Sequence, residues 1–300
     1  MFTKYLNICL VLLFSFTKAT LPNYRALYTS SLTCETGRLQ SPLNLQTSNS
    51  QFNSTINTIY YDYNLINFAS LGVSSDGRIL QVQSGLPTNN FGYIALSRAG
   101  VIKQYELKAI EINIPAEHQI DGVTYDLEVK FIHEKVLPFE TNVNQYRKLS
   151  DGNTHLIISI LYSQNANLTD NGFLNNLLAT FNKPYNPFFF QPSFNLDINS
   201  YNLFREKRWF FYEGSFTSFP CDENANHIVI RDPYQINELT VFQTLYSQMY
   251  NNTVISKPVN DPYGRAIYRN YMNLTEISSG RIISTSMICL LGFILIAILM

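Results

Sequence analysis

Charge is scarce in this sequence. Only 14% of its 300 residues are Asp, Glu, Lys or Arg, against about 25% in an average soluble domain, and the formal net charge is -1. No basic run stands out, so the chain carries no electrostatic footprint for a phosphate backbone, and nucleic acid is not expected among its partners. Histidine is rarer still, with four residues, and tryptophan occurs once. The chain lacks a repeat period, a low-complexity linker and paired C-x-x-C motifs, which excludes solenoids and zinc ribbons and points to one domain. What it has instead is 46% hydrophobic content, enough to bury a sizeable core and to exclude intrinsic disorder. With so few charges, solubility must come from polar uncharged groups, as on a glycosylated extracellular surface.

The two ends have a different character from the middle. Residues 1–19 read as a secretory signal: Lys4 precedes the apolar run Leu6 to Phe16, and Thr17 and Ala19 suit a cleavage site. Residues 279–300 read as an anchor, with an unbroken apolar run from Met287 to Met300. Ser278, Ser279 and Gly280 are small, and a short polar spacer separates them from that run. This is the layout of a glycolipid (GPI) attachment signal, with Ser278 as the attachment residue. A single transmembrane span from Ile282 to Met300 is the alternative. Residues 20–278 are then the extracellular domain, made in the secretory pathway and displayed on the outer face of the cell membrane.

Cysteine usage agrees with export. Cys9 falls in the signal and Cys289 in the tail, leaving Cys34 and Cys221, an even pair that reads as one disulfide. N-x-Ser/Thr acceptors at Asn53, Asn167, Asn251 and Asn273 predict N-glycans.

Between the ends, apolar runs bounded by Gly, Asn and Asp predict strands. They fall at Ile56 to Tyr63, Ile79 to Gln83, Tyr93 to Leu96, Tyr105 to Ile114, Val123 to His133, His155 to Tyr162, Trp209 to Tyr212 and His227 to Ile230. Helical spacing is strong only in Gly172 to Phe181 and Ile236 to Met249. The fold class is therefore mainly β (α+β), a single sheet-dominated domain with short peripheral helices.

Four separated blocks carry a resemblance. They are Gln40-Ser41-Pro42-Leu43-Asn44-Leu45 with Cys34 just upstream, Ala116-Glu117-His118-Gln119-Ile120-Asp121-Gly122, Leu127-Glu128-Val129-Lys130-Phe131-Ile132-His133, and Tyr212-Glu213-Gly214-Ser215-Phe216-Thr217-Ser218-Phe219-Pro220-Cys221. In order and spacing these resemble the α-carbonic anhydrases. The resemblance implies a large, twisted, mostly antiparallel sheet around a conical cavity, and a disulfide between Cys34 and Cys221. It also implies a zinc ion on three imidazoles, which lowers the pKa of bound water and so generates the hydroxide that hydrates CO2.

The resemblance breaks at the metal. Its three ligand positions fall on Glu111, Asn113 and Lys130, and Tyr105 to Ile114 contains no histidine at all. A protonated lysine has no lone pair to give and repels a divalent cation, so zinc is not expected and no cofactor replaces it. An ion pair of Glu111 with Lys130, with the Asn113 amide supplying hydrogen bonds, is expected to stand in for the cation. Glu117 and Thr217 match the pair that orients the zinc hydroxide, and Glu128 matches the carboxylate behind the third ligand. Arg78 stands at the proton-shuttle position, where a guanidinium cannot exchange protons near neutral pH. His118 and His133 match family histidines that are not ligands, and His227 stands where a tryptophan is common. Phe216, Ser218, Phe219 and Ala109 alter the substrate pocket. The expected function is a catalytically silent recognition or adhesion module on the cell surface, with an extracellular protein or glycan as partner. The alternatives are a divergent carbonic anhydrase or metal-free esterase using Thr217, and a structural surface glycoprotein.

Overall fold

The computed structural model describes residues 32–56, 58–73, 80–84, 91–98, 100–136, 153–164, 173–174, 194–202, 204, 207–236 and 256–272. One short helix, α1 (Leu32–Thr36), precedes a succession of strands: β1 (Asn44–Leu45), β2 (Gln51–Phe52), β3 (Thr58–Tyr63), β4 (Ile66–Val73), β5 (Leu80–Ser84), β6 (Gly92–Arg98), β7 (Val101–Asn113) and β8 (Gln119–Ile120). The second half adds β9 (Val123–Thr124), β10 (Leu127–Lys135), β11 (His155–Gln164), β12 (Phe194–Leu196), β13 (Trp209–Gly214), β14 (Ala225–Ile230), β15 (Tyr234–Ile236) and β16 (Tyr268–Arg269).

Thirteen of these strands form one sheet whose main path runs β12-β4-β5-β7-β10-β11-β14-β13-β16-β2, with β15 beside β11, and β3 and β6 continuing from β7. Most neighbours are antiparallel, whereas β11–β14, β11–β15 and β16–β2 are parallel. A separate small sheet orders β1-β8-β9.

The central strands are buried on both faces, and the period of two sorts their side chains. Ile110 and Ile112 of β7, Val129 and Phe131 of β10, Ile158 and Ile160 of β11, and Ile228 and Ile230 of β14 share the main apolar core with Phe211 and Trp209. The intervening residues, Glu111 and Asn113, Glu128 and Lys130, and Ser159, are polar and equally buried on the opposite face. A sheet interior that accepts this many polar groups on one face must satisfy them locally, which is where a site is to be sought.

Two expectations from the sequence change. The predicted run Val123 to His133 is two strands, because Asp121 and Gly122 take left-handed φ values of 51° and 81° and fold β8 onto β9 as a hairpin. The chain then leaves the small sheet before β10 begins, and Asp126 Oδ2 accepts the Gln164 N–H at 2.7 Å. Strand β4 was not predicted, since Asn67, Ala69, Ser70 and Gly72 interrupt its apolar alternation. Of the two predicted helices, Phe173 and Leu174 are helical and Ile236 closes strand β15; the rest of both segments lies outside the described residues.

Candidate functional site

Antiparallel pairing of β7 with β10 sets Lys130 opposite Glu111 and Glu128 opposite Asn113. The turn after β7 brings Glu117 and His118 over this face, and the chain leaving β13 delivers Thr217. Lys130 is the centre of the cluster. Its Nζ donates to Glu117 Oε2 at 2.8 Å and to Thr217 Oγ1 at 2.5 Å, and lies 3.5 Å from Glu111 Oε2. All of these residues are buried, Lys130 to 2% exposure. Burial alone lowers a lysine's pKa, but the carboxylates of Glu117, Glu111 and Glu128 outweigh it and hold Lys130 above its ordinary value, so it remains an ammonium.

Glu128 anchors the loop above it. One oxygen accepts the backbone N–H groups of Glu117 and His118, both at 2.9 Å, and the other pairs with His118 Nδ1 at 2.7 Å. Burial opposes its ionisation, yet His118, Lys130 and the backbone donor hold it well below the usual carboxylate range. His118 continues through Nε2 to Tyr212 Oη at 2.7 Å, and Tyr212 donates to Ser41 Oγ at 3.0 Å. His227 stacks flat on Tyr212 at 4.7 Å between ring centres and contacts the Ser215 carbonyl through Nε2 at 2.8 Å. His133 lies between Tyr63 Oη and the Leu156 carbonyl, and burial pushes its imidazole down to about 4. His155 is half-buried, with its ring set edge-on to Phe216 at 4.7 Å.

Two groups were not singled out in the sequence. Lys257 donates its backbone N–H to Glu117 Oε1 at 2.9 Å and its Nζ to Gln40 Oε1 at 2.6 Å, and burial lowers its pKa to about 8. Ser159 faces Lys130 from β11 with its hydroxyl unpartnered. Only tertiary structure brings Lys257 here, 140 residues from Glu117 in sequence.

The expected ion pair of Glu111 with Lys130 is formed, at 3.5 Å. Lys130 also reaches Glu117 and Thr217, the nearer acceptors, and so bridges the two residues that the resemblance matches to the pair orienting a zinc hydroxide. The carbonyl oxygen of Asn113 has no partner, so the amide does not complete the network through that atom. Next to the cluster, Ile132, Ile157 and Ala225 pack with Ala109 and Phe216 as an apolar layer.

The Cys34–Cys221 bond is formed, with Cα atoms 5.1 Å apart. Asn53 lies in a described loop, its side-chain carbonyl accepting from Thr55 N–H and Oγ1–H at 2.9 and 2.7 Å. Arg78, Asn167, Asn251, Asn273, Ser278, the signal 1–19 and the anchor 279–300 lie outside the described residues.

A profile of the eukaryotic-type carbonic anhydrases matches residues 26–275. The chain belongs to that family. Dioscorin DB3S of Dioscorea polystachya is 25% identical over 237 residues, covering 76% of each chain. A carbonic anhydrase of Klebsiella pneumoniae is 21% identical over 235 residues, or 78% of this chain and 81% of that one. Two solved structures match with the same fold. A dioscorin complexed with ascorbate superposes at a TM-score of 0.61 and 24% identity, over 84% of this chain and 94% of that one. The α-carbonic anhydrase of Thermovibrio ammonificans with the inhibitor sulfanilamide gives 0.62 and 19%, over 82% and 93%.

The family's zinc site can be tested against these residues. Zinc needs lone pairs converging from imidazole, thiolate or carboxylate donors. Here the third ligand position presents an ammonium already bonded to a carboxylate and a hydroxyl, beside one carboxylate and one amide. Among the described residues no group of three His, Cys, Asp or Glu could hold a metal ion. The donor set does not fit zinc.

Proposed function

We propose that this protein is a member of the carbonic anhydrase family that has exchanged hydration chemistry for recognition, displayed on the extracellular face of a membrane by its C-terminal segment. The observation that carries the reading is the Lys130 ammonium, bonded to both Glu117 and Thr217. In an enzyme of this family those two groups orient a nucleophile; here they are spent as acceptors for a fixed cation. Charge stabilisation by a metal, worth several kcal/mol, and the nucleophile that it generates then have no source in the pocket.

The signal at 1–19, the disulfide, the sequons and the apolar segment 279–300 support an exported, glycosylated and anchored domain. Its partner is an extracellular protein or glycan. Elemental analysis of the purified full chain tests the reading. The expected result is zinc far below one atom per chain after exposure to excess metal, and stoichiometric zinc retained through dialysis overturns it.

A further inference from the structure

One buried side chain ties together loops that each carry an exposed apolar residue. Gln40 is 2% exposed. Its Nε2 donates to the Cys221 carbonyl at 3.1 Å, its Oε1 accepts from Lys257 Nζ at 2.6 Å, and its own carbonyl accepts from Arg265 Nη2 at 2.8 Å. Two residues from these partners stand Phe219, Val259 and Tyr263, and Leu39 precedes Gln40 itself; they are 42, 37, 63 and 37% exposed. Phe219 and Tyr263 sit at turn tips. The Cys221 N–H closes one turn on the Ser218 carbonyl at 2.9 Å, and the Arg265 N–H closes the other on the Pro262 carbonyl at 2.9 Å, where Tyr263 and Gly264 take left-handed φ values of 48° and 75°. Both rings therefore project from a held base. The charges of that base are engaged: Glu223 accepts the Leu39 N–H and Gln40 Nε2, and the Arg265 guanidinium donates to four backbone carbonyls. Among the described residues adjoining the patch in sequence, the exposed charges are Arg38 against Glu35, Asp222 and Asp261, an acid excess that disfavours sulfate or phosphate ligands.

The patch lies at the end of the domain away from the anchor. Strand β13 runs from Trp209 to Gly214, and β16 pairs with it antiparallel. Arg265, before β16, bonds the Glu213 carbonyl, whereas Asn270, after β16, accepts the Trp209 N–H. The six residues of β13, about 17 Å, therefore separate the patch from the point where the chain continues through Met272 to the segment read as the anchor. The sequon at Asn53 shares the anchor end, since the Asn53 N–H donates to the Arg269 carbonyl at 3.0 Å, and none of the four apolar residues lies in a sequon. A face held outward in this way meets what stands across the extracellular gap. Its layout suits a copy of itself. Gln40 lies between the two ring-bearing turns and is bonded to each, so a two-fold axis through this hub sets Phe219 of one copy against Tyr263 of the other, with Leu39 of both close to the axis. We infer that the Leu39–Phe219–Val259–Tyr263 patch is a homophilic contact that pairs domains displayed on two facing membranes. This rests on the anchored reading given above.

The full chain is reconstituted into two populations of phosphatidylcholine vesicles, one biotinylated and one fluorescent, and capture of the fluorescent vesicles on streptavidin is measured alongside flotation. The expected result is capture only when both populations carry the chain, unchanged or increased in molar salt because screening weakens the self-repulsion of the acidic rim. Capture is expected to fall by about tenfold or more in Leu39→Asp/Tyr263→Asn. The melting temperature is expected to stay unchanged, since both positions are exposed and asparagine tolerates the left-handed turn. Flotation without capture, capture that survives the double variant, or equal capture of vesicles lacking the chain overturns the homophilic contact. Capture abolished by molar salt would assign the contact to ionic groups and overturn the apolar patch. Failure to float overturns the anchored reading instead, and the patch is then judged by sedimentation of the same chain in detergent: a dimer lost in the double variant supports self-pairing, and a monomer refutes it.

Discussion

Lys130→Met removes the ammonium but keeps the length of the side chain, and the structure sets the size of the result. At an effective dielectric near 20, a pair at 2.8 Å attracts by about 6 kcal/mol and one at 3.5 Å by about 5 kcal/mol, before the cost of desolvating three buried ions is subtracted. That cost cancels much of the attraction in the intact site. Deleting one partner does not cancel it, because Glu117 and Glu111 stay buried without their counterion, and such deletions cost about 3–5 kcal/mol. For a domain of this size the melting temperature falls by about 10 °C. Thermal and urea unfolding of the full chain in one detergent measure it. Adding Glu117→Gln to Lys130→Met removes one of the stranded charges, so the double variant is expected to recover part of the loss, with a coupling of about 2 kcal/mol in the double-mutant cycle. A Lys130→Met cost under about 1 kcal/mol with no coupling would refute the reasoning, since it would mean that the carboxylates do not depend on this cation.

Three further outcomes follow from the same contacts. His133, at about 4 when folded and near 6.5 unfolded, contributes stability that is complete above pH 6.5 and drains as pH falls toward 4, by at most about 3 kcal/mol. His133→Gln is expected to flatten that part of a urea-midpoint profile between pH 7 and pH 4, and an unchanged slope would remove His133 from the account. Replacing Glu111, Asn113 and Lys130 together by histidine places three imidazoles at neighbouring positions on β7 and β10. The triple variant is expected to gain zinc and to lose melting temperature on chelation, whereas the native chain is indifferent to chelator. Reducing the Cys34–Cys221 bond opens a loop whose ends are 187 residues apart, and unfolding under reductant is expected to move by up to about 4–5 kcal/mol, read as a fall in the urea midpoint.

Much of this architecture was legible in the chain because its determinants are local or periodic. The alternation Leu127-Glu128-Val129-Lys130-Phe131-Ile132 fixes both the strand and the face that each residue takes, so the polar row opposite the core could be read before any fold was known. The residues at the three ligand positions could be read only because the resemblance to the α-carbonic anhydrases places those positions in the chain. What could not be read depends on direction and reach. A lysine has four methylene groups and several acceptors within range, so the ligand positions of the resemblance name Glu111 as its partner, whereas the side chain reaches Glu117 and Thr217 as well. Strand β4 escaped because its alternation is diluted by Ala, Ser and Gly, and its place is set by pairing with β5 and β12. Lys257 was invisible for a third reason: its neighbours are brought to it by the path of the chain across the fold, and no local pattern encodes that.

The central claim is that a fixed ammonium occupies the role of a metal and leaves no activated water. Stopped-flow CO2 hydration by the purified full chain, with zinc supplied in excess, tests it most directly. The account predicts a rate no different from that of buffer, while an acceleration that disappears with a chelator would contradict it.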